Sequence, residues 1–87
     1  MDFEFDPGKS AANLDKHGID FAAAQVLWES KIVQVPISTQ NELRWLVIGT
    51  LGKKHWTAVI TRRGDKIRLI SVRRARDNET QIYENSQ

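Results

Sequence analysis

The sequence predicts an α+β domain: a short N-terminal strand, a two-helix unit, an antiparallel β-meander and a short C-terminal helix. Three observations carry that reading. The apolar period is helical through Trp28 and changes to two from Lys31 onward. Helix-start chemistry at Asp6-Pro7 and at Asp20 brackets a helix stop at Gly18. Turns at Gly52-Lys53-Lys54 and Arg63-Gly64-Asp65 cut the second half into runs of strand length. With 87 residues and 10.0 kDa there is material for one core, so residues 1–87 read as a single domain.

Each element follows from local chemistry. Phe3 and Phe5 alternate with Glu4 and Asp6, the pattern of a short half-buried strand. Asp6 caps the free N–H groups of the first helix, and Pro7 takes its first position. Ala11, Ala12 and Leu14 carry that helix to His17. Gly18 supplies the left-handed stop, and Ile19 folds back on the last turn. Asp20 caps a second helix whose apolar surface is Phe21, Ala24, Val26, Leu27 and Trp28, and the short link makes a compact αα unit. A strand over Ile32-Val33-Gln34-Val35 is ended by Pro36, and 37–41 reads as a polar loop. Leu43 to Leu51, His55 to Thr61 and Lys66 to Val72 form the meander, in which Trp45 and Trp56 are set to pair across facing strands. Asp77 caps the last helix, which docks through Ile82 and Tyr83.

Composition excludes several classes of function. Hydrophobic residues at 40% and charged residues at 28% describe a globular chain, not a disordered one. Without cysteine there is no disulfide framework and no thiolate metal site. Two histidines without carboxylates at ligand spacing leave no zinc site, so no metal or cofactor is expected. The longest apolar run, Trp45 to Ile48, is far short of the ~20 residues of a membrane span. The acidic opening Met1-Asp2-Phe3-Glu4-Phe5-Asp6 is the opposite of a secretory leader, so a cytoplasmic protein with no membrane partner is expected.

The net charge of +2 hides an asymmetry. Five of the eleven acidic residues lie in the first twenty positions, and seven of the thirteen basic ones lie between 62 and 76. Arginine outnumbers lysine there by six to one, and its planar fork suits phosphate better than an ammonium does. Such a run is either a phosphate-backbone surface or an ordinary solvated strand. The meander is also apolar on both faces: Ile67 and Leu69 oppose Ile70 and Val72, and Trp45 and Val47 oppose Leu46 and Ile48. The αα unit covers one face. The other falls to the C-terminal helix or to another protein.

Local motifs add a resemblance. Phe3-Glu4-Phe5-Asp6-Pro7, Lys9, Asn13-Leu14 and Lys16-His17-Gly18-Ile19-Asp20-Phe21 resemble the opening of the BrnT toxin family. Glu42-Leu43-Arg44 followed by Ile48-Gly49 resembles its glutamate-x-arginine strand. Ile67-Arg68-Leu69-Ile70-Ser71-Val72-Arg73-Arg74-Ala75, with Glu79 and Tyr83, resembles its ending. The resemblance implies a type II toxin with a RelE-like fold that cuts RNA, inhibits translation and growth, and is neutralised by a cognate BrnA-like antitoxin. It also implies that the antitoxin covers the arginine surface and the open sheet face, and that higher-order assembly runs through the antitoxin.

Metal-free RNA cleavage needs a proton acceptor for the ribose 2′-OH, cations for the charge building on phosphorus, and an acid for the leaving 5′-oxygen. Arg68 and Arg73 are the cationic candidates. Five residues apart, they point to opposite faces of a regular strand, and they reach one phosphate only if the strand bulges near Ser71. Arg68 has an alternative in an ion pair with Glu42 or Glu79. Glu42 and Arg44 face the same way, either as an ion pair or as proton acceptor and phosphate ligand. His17 suits proton transfer near neutrality, or simply caps its helix together with Lys16, whose other reading is a phosphate contact. Arg74 and Arg76 extend the cationic stretch toward RNA. Tyr83 stacks on a base or packs its helix down with a solvated hydroxyl. Trp28 reads as core or interface, and His55 as surface. The same residues also fit a non-catalytic nucleic-acid binder or a protein-interaction module.

Overall fold

A computed structural model describes residues 2–86. The chain runs through β1 (Asp2–Glu4), α1 (Pro7–His17), α2 (Phe21–Ala24), a 3₁₀ helix (Gln25–Glu29), β2 (Val33–Ser38), β3 (Leu43–Leu51), β4 (Lys54–Arg63), β5 (Lys66–Arg74) and α3 (Asp77–Asn85). The strands form one five-stranded sheet in the order β1-β5-β4-β3-β2. β1 lies parallel to β5 and every other pair is antiparallel. The layout is the predicted α+β one. Among the described residues no helix is long and apolar enough to cross a membrane.

Capping chemistry is as the sequence dictates in the first half. Asp6 Oδ1 accepts from the N–H of Gly8 at 2.7 Å and of Lys9 at 3.2 Å, with Pro7 following. Gly18 ends α1 at φ 80°, a left-handed conformation that favours glycine. Asp20 Oδ1 caps α2 through the Ala23 N–H at 2.8 Å. The second helix then departs from expectation, tightening into the 3₁₀ turn after Ala24. That turn buries Leu27 and leaves Val26 exposed, so Val26 is not part of the core.

Both helices and the 3₁₀ turn pack on one sheet face. Phe21, Ala24 and Leu27 meet Val47, Ala58, Ile60, Leu69 and Val72, all at most 2% exposed. Phe3 stands edge-on to Trp28 at 4.9 Å and Phe5 edge-on to Phe21 at 5.6 Å. Gly49 lets Leu27 sit on the sheet, since a Cβ there would lie 3.2 Å from Ile32 Cγ2 and 3.3 Å from Leu27 Cδ2. Asn13 ties α1 to the β5 edge left open where β1 ends. Its side chain donates to Val72 O at 2.9 Å, accepts from Val72 N at 3.2 Å, and also donates to Ile19 O at 2.7 Å. A side chain thus stands in for a missing strand.

Three local expectations are corrected. Pro36 does not end β2, because β2 is an edge strand; Pro36 sits opposite Trp45 where no outward N–H is needed. Trp45 and Trp56 share a face but do not pair: Trp45 is opposite Ile60 and Trp56 opposite Gly49. Each is covered by an arginine instead, Arg62 at 5.0 Å and Arg74 at 5.5 Å from the ring centroids. Asp77 is the first residue of α3 and not its cap; Arg76 holds the cap position, and Glu79 reaches back to accept from the Arg76 N–H at 2.8 Å.

α3 packs on the opposite face through a buried carboxylate. Glu79 is 3% exposed and accepts from Arg73 at 2.8 and 2.9 Å, from Thr57 Oγ1 at 3.0 Å and from the Arg76 N–H. Tyr83 is buried and donates to Lys31 O at 3.0 Å, so its hydroxyl is bonded within the protein and not wet. Its ring meets His55 edge-on at 5.3 Å, and His55 is half-buried with Glu84 at 3.6 Å, not a free surface residue.

Two predictions follow from these anchors. Asn13→Ala is expected to lower stability by about 2–3 kcal/mol, read from the urea midpoint, because it leaves buried backbone groups unpaired. Arg73 holds the Glu79 carboxylate far down, at about 2 against 4.5 when unperturbed, with the Arg76 N–H and Thr57 adding to the effect and burial opposing it. A lowered native pKa stabilises the fold above the unfolded value and ceases to do so as pH falls through the native one. Acid titration from about 4.5 toward 2 should therefore remove this contribution in the native protein, while Glu79→Gln, costing about 3 kcal/mol at neutral pH, should flatten that part of the profile.

Candidate functional site

Strand β5 carries one residue more than its partner. Val59 pairs with Ser71 and the next residue, Ile60, pairs with Leu69, which leaves Ile70 as a bulge. The bulge resets side-chain alternation. Ile67, Leu69 and Val72 all face the helices, where a regular strand would have turned Val72 away from the other two. Arg68, Ile70, Ser71 and Arg73 face the other way. The expected opposition of Arg68 and Arg73 is thereby removed, and both arginines stand on the α3 side of the sheet.

Register arranges that face in rows across the strands. Under α3 lie Val33, Ile48, Thr57 and Arg73. Next come Val35, Leu46, Val59 and Ser71, with Ile70 beside them. The third row is Ile37 and Arg44, then Thr61, Arg68 and Glu4. Arg63 and Lys66 end the face.

The third row gathers two of the predicted residues, Arg44 and Arg68, and a third, Glu42, lies beside Arg44. Arg44 Nε is 3.6 Å from Glu42 Oε2, and Arg68 Nη1 is 3.6 Å from Glu4 Oε2. Glu42 precedes β3 and is held there by a tight turn: Thr39 N and Oγ1 donate to Glu42 O at 3.1 and 2.7 Å, and Glu42 N donates to Thr39 Oγ1 at 3.2 Å. Both ion pairs exceed the ~2.7–2.9 Å of a charge-assisted hydrogen bond, so the guanidinium donors are only loosely engaged. Arg44 Nε is buried and has no hydrogen-bond partner. Glu4 as the neighbour of Arg68 was not legible, because it depends on parallel pairing between the first and fifth strands.

The other predicted residues are placed differently. Arg73 is committed to Glu79 by two short bonds, which raise its pKa against the opposing effect of burial. Arg74 points to the helix face, stacks on Trp56 and donates to His55 O at 3.4 Å. Arg76 is exposed at the start of α3. Tyr83 is packed under α3 with its ring against His55. Lys16 and His17 end α1 beside the Gly18 stop, and no hydrogen bond or ion pair among the described residues joins either to Arg68, Arg73 or Glu42. Among the described residues there is no enclosed cavity. The arginine row is an open surface that suits an extended anionic chain better than a small molecule.

Comparison with curated proteins finds no match. The family described as "Ribonuclease toxin, BrnT, of type II toxin-antitoxin system" matches residues 5–79, a span that takes in Glu42, Arg44, Arg68, Arg73 and Glu79. That span covers most of the chain, from the end of the first strand to the carboxylate that anchors the last helix, so the chain belongs to the BrnT family of ribonuclease toxins of type II toxin–antitoxin systems.

Proposed function

We propose that this toxin cuts RNA without a metal ion at the Arg44–Thr61–Arg68 row, and that the cleavage inhibits translation and growth unless an antitoxin intervenes. One observation carries the reading. The Ile70 bulge keeps Arg68 on the open face with Arg44, and each guanidinium is held only by a carboxylate at 3.6 Å. A phosphodiester offers two oxygens to such forks in place of the loose internal partners.

In this reading Glu42, exposed on its turn at the head of β3, takes the proton from the ribose 2′-OH. The 2′-oxygen forms a bond to phosphorus, and the bond from phosphorus to the 5′-oxygen breaks. Arg44 and Arg68 stabilise the extra negative charge on the phosphoryl oxygens, the task a metal performs in other nucleases. The leaving 5′-oxygen takes its proton from solvent, which the open face admits. The products are a 2′,3′-cyclic phosphate end and a 5′-hydroxyl end. Arg73 acts through Glu79, holding α3 beside the row. Lys16, His17 and Arg76 remain available for RNA outside the cleaved bond. Arg74 and Tyr83 serve chiefly as packing residues.

An RNA cleavage assay in EDTA, with product ends identified, tests this. Arg68→Ala is expected to slow cleavage about 10²–10³-fold and Glu42→Gln by a similar factor, both with unchanged thermal stability. Arg73→Ala should lose activity together with stability. Full activity of Arg68→Ala, or loss of cleavage in EDTA, overturns the proposal. Intact RNA with steeply salt-dependent binding would mark a non-catalytic phosphate clamp instead.

A further inference from the structure

We infer that Trp45 and Arg62 form a stacking site for one unpaired RNA base beside the cleaved bond, on the sheet face opposite the arginine row. The inference rests on the proposed cleavage at that row, which is what brings RNA to this end of the sheet.

The helix layer leaves one corner of its own sheet face open. Along the row Pro36, Trp45, Ile60 and Leu69, the last two are at most 2% exposed. Trp45 is only half-buried and Pro36 is exposed. In the next row Ile67 is buried beside Phe3, but Leu43 is 49% exposed and its β2 neighbour Ser38 is exposed as well. The open corner is therefore an indole flanked by a leucine and a proline. Arg62, exposed near the end of β4, lays its guanidinium over that indole at 5.0 Å and donates to Gln34 on β2. The proposed cleavage row occupies the same corner on the other face. Trp45 follows Arg44 and Arg62 follows Thr61, so strand alternation puts each pair of chain neighbours on opposite sides of the sheet.

Single-stranded RNA is held by aromatic rings and arginine planes for its bases and by cations for its backbone. The corner supplies both. An exposed cation–π contact is weak, and Arg62 and Gln34 are themselves exposed, so the guanidinium lifts from the ring at little cost. A base that enters has the indole on one side and the guanidinium plane on the other. Gln34, released by Arg62, meets the edge of that base with an amide that both donates and accepts, so the site tolerates any base. Arg63 and Lys66, exposed and paired where β4 and β5 end, offer cations to the backbone as it rounds the end of the sheet. The carboxylates at that end, Glu42 and Asp65, are exposed and solvated. Trp56 makes the contrast. It too is half-buried under an arginine, but it lies opposite Gly49, four residues further along β3 than Trp45 and away from the cleavage row. A protein partner suits the corner poorly: beyond the indole, Leu43 and Pro36 add far less exposed apolar area than a stable interface buries.

Binding is measured with a short single-stranded 2′-O-methyl RNA, which lacks the attacking hydroxyl and is not cut. Cleavage is measured in EDTA with unmodified RNA of the same sequence. Stacking on Trp45 quenches tryptophan fluorescence, so Trp45→Phe should remove most of the quenching and Trp56→Phe should keep it. Arg62→Ala, at an exposed position that does not endanger folding, is expected to weaken oligonucleotide binding about tenfold. Arg62→Lys, which keeps the charge without the plane, should restore little of that loss. KM for cleavage should rise by the same factor with kcat near the native value, because the site binds substrate away from the reacting atoms. Removing the base at one position of the oligonucleotide should weaken native binding as much as Arg62→Ala does, and should leave Arg62→Ala unaffected. Unchanged affinity and KM in Arg62→Ala, or no position at which base removal matters, overturns the inference. Full recovery in Arg62→Lys also overturns it, by reducing Arg62 to a phosphate contact. So does weakened antitoxin binding with RNA affinity intact, which makes the corner a protein surface. A native chain that shows the Arg62 and base-removal effects on binding but leaves unmodified RNA intact supports the stacking site and rejects the nuclease reading alone.

Discussion

One extra residue in β5 governs the rest of this structure. Without the bulge at Ile70, Arg68 and Arg73 would lie on opposite faces, and either Leu69 or Val72 would leave the core. With it, Ile67, Leu69 and Val72 all pack under the helices while the arginines share the other face. A bulge forfeits ladder hydrogen bonding locally and increases strand twist. Here the compensation is a continuous apolar layer in a domain too small to spare any of it.

The arginines of the second half are chemically identical but do three different kinds of work. Arg62 and Arg74 cover tryptophan rings on the helix face, Arg62 also donating to Gln34. Arg73 is consumed by Glu79, and that pair fastens α3 to the sheet through Thr57 and the Arg76 N–H. Arg68, with Arg44 from β3, keeps only a distant carboxylate. The carboxylate sorts them: Glu79, its side chain 4% exposed, requires close donors, whereas Glu4 and Glu42, at 29% and 37%, are solvated enough to tolerate loose ones.

The same economy explains the open face. A chain of this length has three short helical segments on one side of its sheet and a nine-residue helix on the other. The first group seals its side. The second covers one row of four. An aliphatic strip bordered by arginines therefore stays half-exposed on that side.

Sequence alone determined the class of fold, the ends of most elements and the stretch of chain bearing the arginines. These depend on neighbours close in the chain: Asp6 with Pro7, Gly18 after His17, and the change of apolar period at Lys31. Pro36 misled because its effect depends on whether a strand is central or at an edge. Only the tertiary structure decided which arginine faces which carboxylate. Glu4 reaches Arg68 through a parallel pairing across the domain, and Glu79 reaches Arg73 because α3 folds back over the sheet. The bulge was readable as a condition but not as a fact. Periodicity within one strand is silent about its register, and register is set by the packing of side chains far apart in the chain.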